Sequence, residues 1–219
     1  MSRARQRLIS GAWSIVTETR KKRFSLFLNL VGELPRPLHV LDVGGTEEFW
    51  ETMDFTGQPD LFFTLLNLSS PRATHENFEC IDGDATDLSR FYDQQFDLVF
   101  SNSVIEHVGD QGMQARMADE IRRVGKRYFV QTPNYYFPIE PHFFFPGFQW
   151  LPLSVRSALL MRLSLGWQGK ITDLDEARGL ADTTRLLKRD QFQALFPEAT
   201  LWKERTFGVV NSFVLYHGW

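Results

Sequence analysis

The sequence predicts an α/β fold, a seven-stranded and mostly parallel sheet with helices on both faces and an antiparallel strand at its C-terminal end. Three observations predict it. Short, continuous apolar runs recur along the chain and stop at glycine, proline or polar residues, as strands buried on both faces do. Segments with helical spacing lie between them, so the strands run parallel through right-handed crossovers. The last segment reads instead as two strands about a turn near Gly208 to Asn211, which opposes one strand to the others.

Residues 3–32 read as one or two helices, ended by Gly32 and by Pro35 and Pro37, with Leu26, Leu28, Leu30 and Val31 docking the segment onto the body. The first strand is "LHVLDV" (38–43), and a short helix over "TEEFWETMDF" separates it from the second, "LFFTLLNL" (61–68). A third, ending near Asp82, lies in "FECIDGDATDL" (78–88). "FDLVFSNSV" (96–104) is the fourth and "RYFVQTP" (127–133) the fifth. Between these two, "GDQGMQARMADEIRRVG" spaces apolar and charged residues as a helix does, with Gly125 as its C-cap. An insertion at about 134–170 is rich in aromatics and prolines, and its second half is an apolar helical patch. "LLKRDQFQALFP" reads as a further helix before the strand pair.

Charge is unevenly spread. Residues 1–23 carry seven basic residues against Glu18, a net +6, which leaves −9 for the rest of a chain whose total is −3. The reading therefore divides the chain into a basic helical arm, 1–37, and a domain, 38–219. A basic arm on an acidic body suggests contact with an anionic membrane surface. With no further basic stripe, no nucleic acid is expected as partner. Cys80 is the only cysteine, so no internal disulfide forms, and no apolar run reaches the ~18 residues of a membrane span. The expected compartment is cytoplasmic, with peripheral contact at the inner membrane face.

Ligands of open parallel sheets sit at the carboxyl ends of the strands, so the residues just past each strand carry the chemistry. "DVGGTEEF" lacks the G-x-G-x-x-G spacing of a pyrophosphate loop, and Glu47 and Glu48 would set two negative charges beside the phosphates. The site suits a nucleoside without phosphate.

In these motifs the chain resembles the class I S-adenosylmethionine-dependent methyltransferases of the type-11 kind, from about Leu38 to the C-terminus. The resemblance implies a Rossmann-like domain over 38–219, with S-adenosylmethionine as cofactor. It implies that Asp42, Gly44 and Gly45 of "LDVGG" pack against the methionine part. Asn67 stands where the family usually has an acidic residue on the ribose. In "GDATDL", Asp84 would accept from the adenine amino group, with Ala85 facing the ring. In "FDLVFSNSVIEHV", Ser101, Asn102 and His107 would border the methionine end. Two departures stand out: glutamate replaces the third glycine of the turn, and Asn67 cannot grip two hydroxyls as a carboxylate does.

The segment after the fifth strand is where the family commonly binds its acceptor. There Glu140 and His142, two apart across Pro141, fall on one side of an extended segment. His142 is the expected general base or acceptor ligand and Glu140 its orienting partner, with His107 nearby as a third candidate. The alternative is that Glu140 or His142 caps backbone groups in a rigid loop. No metal ligand set is assigned from the sequence. The expected reaction is methyl transfer, to oxygen, of a small-molecule, glycan or lipid-linked acceptor that the aromatic insertion receives. Two rivals are a methyltransferase for RNA or protein and a methyltransferase-like domain that binds without turnover.

Overall fold

The computed structural model describes residues 21–140, 142–165 and 169–219. The expectation for residues 3–20 lies outside them. Seven strands form one sheet in the order β3-β2-β1-β4-β5-β9-β8. β1 (Leu38–Val43), β2 (Leu61–Asn67), β3 (Phe78–Asp82), β4 (Leu98–Asn102) and β5 (Tyr128–Pro133) run parallel. β9 (Val209–His217) is antiparallel to β5 and to the edge strand β8 (Thr200–Thr206). The predicted fold class is the one observed.

The near-continuous burial of β1, β4 and β5 follows from cover on both faces. On one face, Leu41, Val43, Val99 and Val130 pack under Met117 and Ile121 of α3 (Gln111–Val124) and Phe192 of α6 (Arg189–Leu195). On the other, Val40, Leu65, Phe100 and Phe129 meet Phe27 and Val31 of α1 (21–32) and Trp50 of α2 (Glu47–Glu51). Asp110 caps α3 by accepting from Met113 N at 2.9 Å, satisfying one of the amides that a helix start leaves unpaired.

Two local expectations are corrected. Leu28 does not dock α1 but is 43% exposed, because the buried stripe runs Phe24, Phe27, Val31 and Leu34, at spacings of three and four. Residues 21–37 are therefore a layer of the core within the described chain. The helix after β1 is also shorter than predicted, ending at Glu51 before a turn in which Asp54 has φ 62°.

The insertion has its own small core. Phe143 and Phe148 pack with Leu160 of α4 (Leu153–Arg162) and with Ala177 and Ala181 of α5 (Leu174–Asp182). A two-strand hairpin, β6 (Ile139–Glu140) with β7 (Phe145–Pro146), opens it. Neither α5 nor the hairpin is predicted from the sequence. The buried face of α5 is two alanines, too small to mark a helical stripe, and two-residue strands have no periodicity.

Candidate functional site

The glycine turn after β1 is shaped by close approach. Gly44 has φ 82° and faces Val104 of the segment after β4, where an added Cβ would lie 2.4 Å from that side chain. A Cβ on Gly45 would lie 1.8 Å from Asp42 Oδ2. Asp42 is buried and accepts from Trp50 Nε1 at 2.7 Å. Burial pushes its carboxyl up to about 7, against the Trp50 hydrogen bond that favours the charged form.

Glu47 and Glu48 begin α2, with the Thr46 hydroxyl accepting from Phe49 N. Glu47 reaches across to the loop before β3 and accepts from Thr74 N at 2.9 Å and His75 N at 2.8 Å. Of the two glutamates that stand where the resemblance implies a third glycine, Glu47 is thus a loop staple. Asn67 donates through Nδ2 to Gly45 O at 2.9 Å. A carboxylate has no proton to give that carbonyl, which accounts for asparagine here and leaves Oδ1 as its acceptor end.

Asp84 is exposed and accepts through Oδ1 from Thr86 N and Oγ1, each at 2.8 Å, while Ala85 is buried. Ser101 is buried and donates to Val43 O at 3.2 Å, tying β4 to β1. Asn102 Oδ1 accepts from Arg23 of α1. The same guanidinium grips the fully buried Glu204 of β8 with two hydrogen bonds, at 3.0 and 3.2 Å. The cavity between Arg23, Phe24, Phe49, Phe100 and Asn102 is about 10 Å³, no more than a water, so α1 packs closely against the end of β4 there.

Three expected catalytic residues come together, and a fourth joins them. His142 Nδ1 meets Glu140 Oε1 at 2.6 Å, and His142 Nε2 meets His107 Nε2 at 3.0 Å. Glu140 is buried, and its other oxygen accepts from the amides of His142 and Phe143 at 2.7 and 2.8 Å. It both orients the imidazole and caps the loop. The fourth member, Glu106, is fully buried at the turn after β4. Its Oε2 accepts from Thr132 Oγ1 of β5 at 2.9 Å. Burial pushes its carboxyl up to about 7, with His142 pulling the other way. Desolvation, with His142 next to it, holds His107 below the ordinary imidazole value. His142 is held above that value: desolvation works against the charged ring, and Glu140 outweighs it.

These residues converge at the carboxyl edge of the sheet, where a doubly covered parallel sheet binds its ligands. Residues 46–128 match the family described as "Methyltransferase domain". A S-adenosylmethionine-dependent methyltransferase of Methanosarcina mazei shares the fold with a TM-score of 0.53, at 15% identity over 85% of this chain and 94% of that one. The chain thus has the fold of a class I methyltransferase, and a segment of it resembles a methyltransferase domain. A protein of Pyrococcus horikoshii has the same fold, with a TM-score of 0.51 and 17% identity over 90% and 89% of the two chains. Two uncharacterized proteins from strains of Mycobacterium tuberculosis are 39% identical over 56 residues, 26% of this chain. That match spans 19% of their length.

The cofactor of class I methyltransferases is S-adenosylmethionine, and the residues present suit it. A Cβ at Gly44 would meet Val104 and one at Gly45 would meet Asp42, so bare glycine backbone is what this turn can offer the cofactor. Asn67 and Asp84 end β2 and follow β3, with acceptor oxygens of the kind a ribose and an exocyclic amine need. Glu106 is the site residue that sequence reasoning missed. Its signal was a lone carboxylate inside the apolar "SVIEHV", next to His107.

Proposed function

We propose that the chain transfers a methyl group from S-adenosylmethionine to an oxygen of a small-molecule, glycan or lipid-linked acceptor. The observation that carries this reading is the cluster of Glu106, His107, Glu140 and His142, which follows Val104, the residue packed on the glycine turn. Bound in that turn, the cofactor supplies a methyl group on a cationic sulfur. The chain's own part is positioning and handling a proton. An alcohol or phenol must shed its proton as it is methylated. With Nδ1 committed to Glu140, His142 has Nε2 left to draw on that proton.

The insertion supports a ring-bearing or sugar acceptor. Phe143 and Phe148 are spent on its core, but Tyr136 is 57% and Trp150 49% exposed. The Lys188 ammonium lies 5.7 and 6.0 Å from the Tyr135 and Tyr136 ring centres. These faces can stack on an acceptor. Lys21 and Lys22, exposed on α1, carry the basic segment toward an anionic surface. No helix among the described residues is long and apolar enough to cross a membrane. Co-sedimentation with anionic vesicles at low salt is the expected result, and no binding there refutes the membrane contact.

Calorimetry with S-adenosylmethionine and its demethylated product tests the activity, both being expected to bind. Binding of neither would refute it. His142→Ala should then lower methyl transfer about 10²–10⁴-fold and leave cofactor affinity unchanged. Unaltered transfer would remove the histidine from the chemistry.

A further inference from the structure

The geometry points to a divalent cation site of the zinc class, with Glu106, His107 and His142 as ligands and Glu140 as the positioning residue behind His142. One ligand atom from each of the three lies within 4.8 Å of the others. Two imidazole nitrogens with one carboxylate oxygen form a donor set that suits zinc or cobalt rather than magnesium or calcium.

Two independent features support a cation there. His142 gives its Nδ1 proton to Glu140, so in the neutral ring a lone pair on Nε2 faces His107 Nε2 at 3.0 Å. Two ligand nitrogens at ~2.1 Å from one zinc ion stand roughly 3.3 Å apart, so little movement is needed. Second, Glu106 Oε1 is buried and has no hydrogen-bond partner among the described residues, although its twin oxygen holds Thr132. A carboxylate oxygen without a partner in the protein interior is costly, and a cation removes that cost.

The scaffold is firm where a site needs it. Glu106 O accepts from Arg185 N at 2.7 Å, and Gln114 Nε2 donates to Ile105 O at 3.2 Å, fixing the turn that carries two ligands. Glu140 and the β6–β7 hairpin present the third. A carboxylate on the far nitrogen of a ligand histidine is the usual second partner of such sites. His107 is exposed and His142 half-buried, so a coordination position faces solvent. With a cation bound, His142 Nε2 is a ligand, so an acceptor hydroxyl in the open position would lose its proton through the cation's charge in place of His142, a consequence that alone rests on the methyl-transfer reading. Another group, Glu47, Glu51 and His75, also falls within that distance, but Glu47 already accepts from Thr74 and His75, and Glu51 is exposed.

The full chain, stripped with a chelator, is titrated with Co²⁺ by visible absorption and with Zn²⁺ by calorimetry. Stoichiometric uptake is expected, with zinc displacing cobalt. His107→Ala, a change at an exposed residue that should leave the fold intact by circular dichroism, and His142→Ala should both abolish it. Glu140→Gln should weaken it about 10–100-fold, and His75→Ala should leave it unaltered. The site is overturned by absent uptake, as when the two imidazoles simply share a proton. It is equally overturned by uptake that survives His107→Ala or is lost in His75→Ala. Cofactor binding measured on the same samples keeps the two readings apart. Cofactor binding without cation uptake sinks only the cation site, and uptake without cofactor binding sinks only the methyl-transfer reading.

Discussion

Asp42 offers a quantitative test of how tightly the glycine turn closes on the first strand. Its carboxyl is pushed up to about 7 from the ordinary 3.8 by burial. A group whose folded pKa is raised favours the fold while protonated. The stability it allows is fully present below about pH 4 and is lost as pH rises toward 7, because the unfolded chain ionises first. From these two values, ionisation costs the folded state about 2 kcal/mol at pH 5 and about 4 kcal/mol at pH 8. Asp42→Asn keeps an acceptor for Trp50 Nε1 and removes the titration. The variant's stability relative to the parent should therefore improve by roughly 2–3 kcal/mol between pH 5 and pH 8. Urea denaturation of both chains at the two pH values measures this directly. The buried Glu106 titrates in both chains and cancels in the difference. A relative stability that does not change with pH would show that Asp42 stays hydrated in the folded protein, and the closed turn would be wrong.

Gly45→Ala forces a methyl group against the Asp42 carboxylate, 1.8 Å from Oδ2, and should cost about 2–3 kcal/mol in denaturation experiments while weakening cofactor binding. Full affinity and stability would mean that the turn yields freely. Arg23→Ala leaves Glu204 buried without its counter-charge and should destabilise the chain by about 3 kcal/mol in urea. Arg23→Lys should recover only part of that, since an ammonium cannot make the two-pronged contact. Equal stability of the parent and both variants would detach α1 from the sheet.

The strands were legible because burial on both faces demands unbroken apolar runs, and "LHVLDV" and "RYFVQTP" are such runs. The helix over Gln111–Val124 was legible for the complementary reason, since its buried residues recur at helical spacing behind an aspartate cap. Leu28 was misplaced because several neighbouring apolar residues in α1 leave the buried stripe ambiguous until the sheet chooses it. In the site, Glu140 and His142 could be paired from their two-residue separation, and their 2.6 Å contact follows from it. Glu106 could not be placed. Nothing local distinguishes a buried carboxylate from a solvated one when the hydroxyl it accepts from, on Thr132, is 26 residues away.

The sequence by itself determined the layers and the strand ends, because hydrophobic period and turn chemistry act over a few residues, and its motifs carried the resemblance that implies the cofactor. Only the tertiary structure decided what those ends do together. It set Glu47 to hold the loop before β3, and it set Asn67 to answer a glycine carbonyl. It also brought Glu106 and His107 to His142, 35 residues further on. Such contacts depend on parallel register and crossovers, which place residues distant in the chain at one sheet edge without leaving a mark in the intervening sequence.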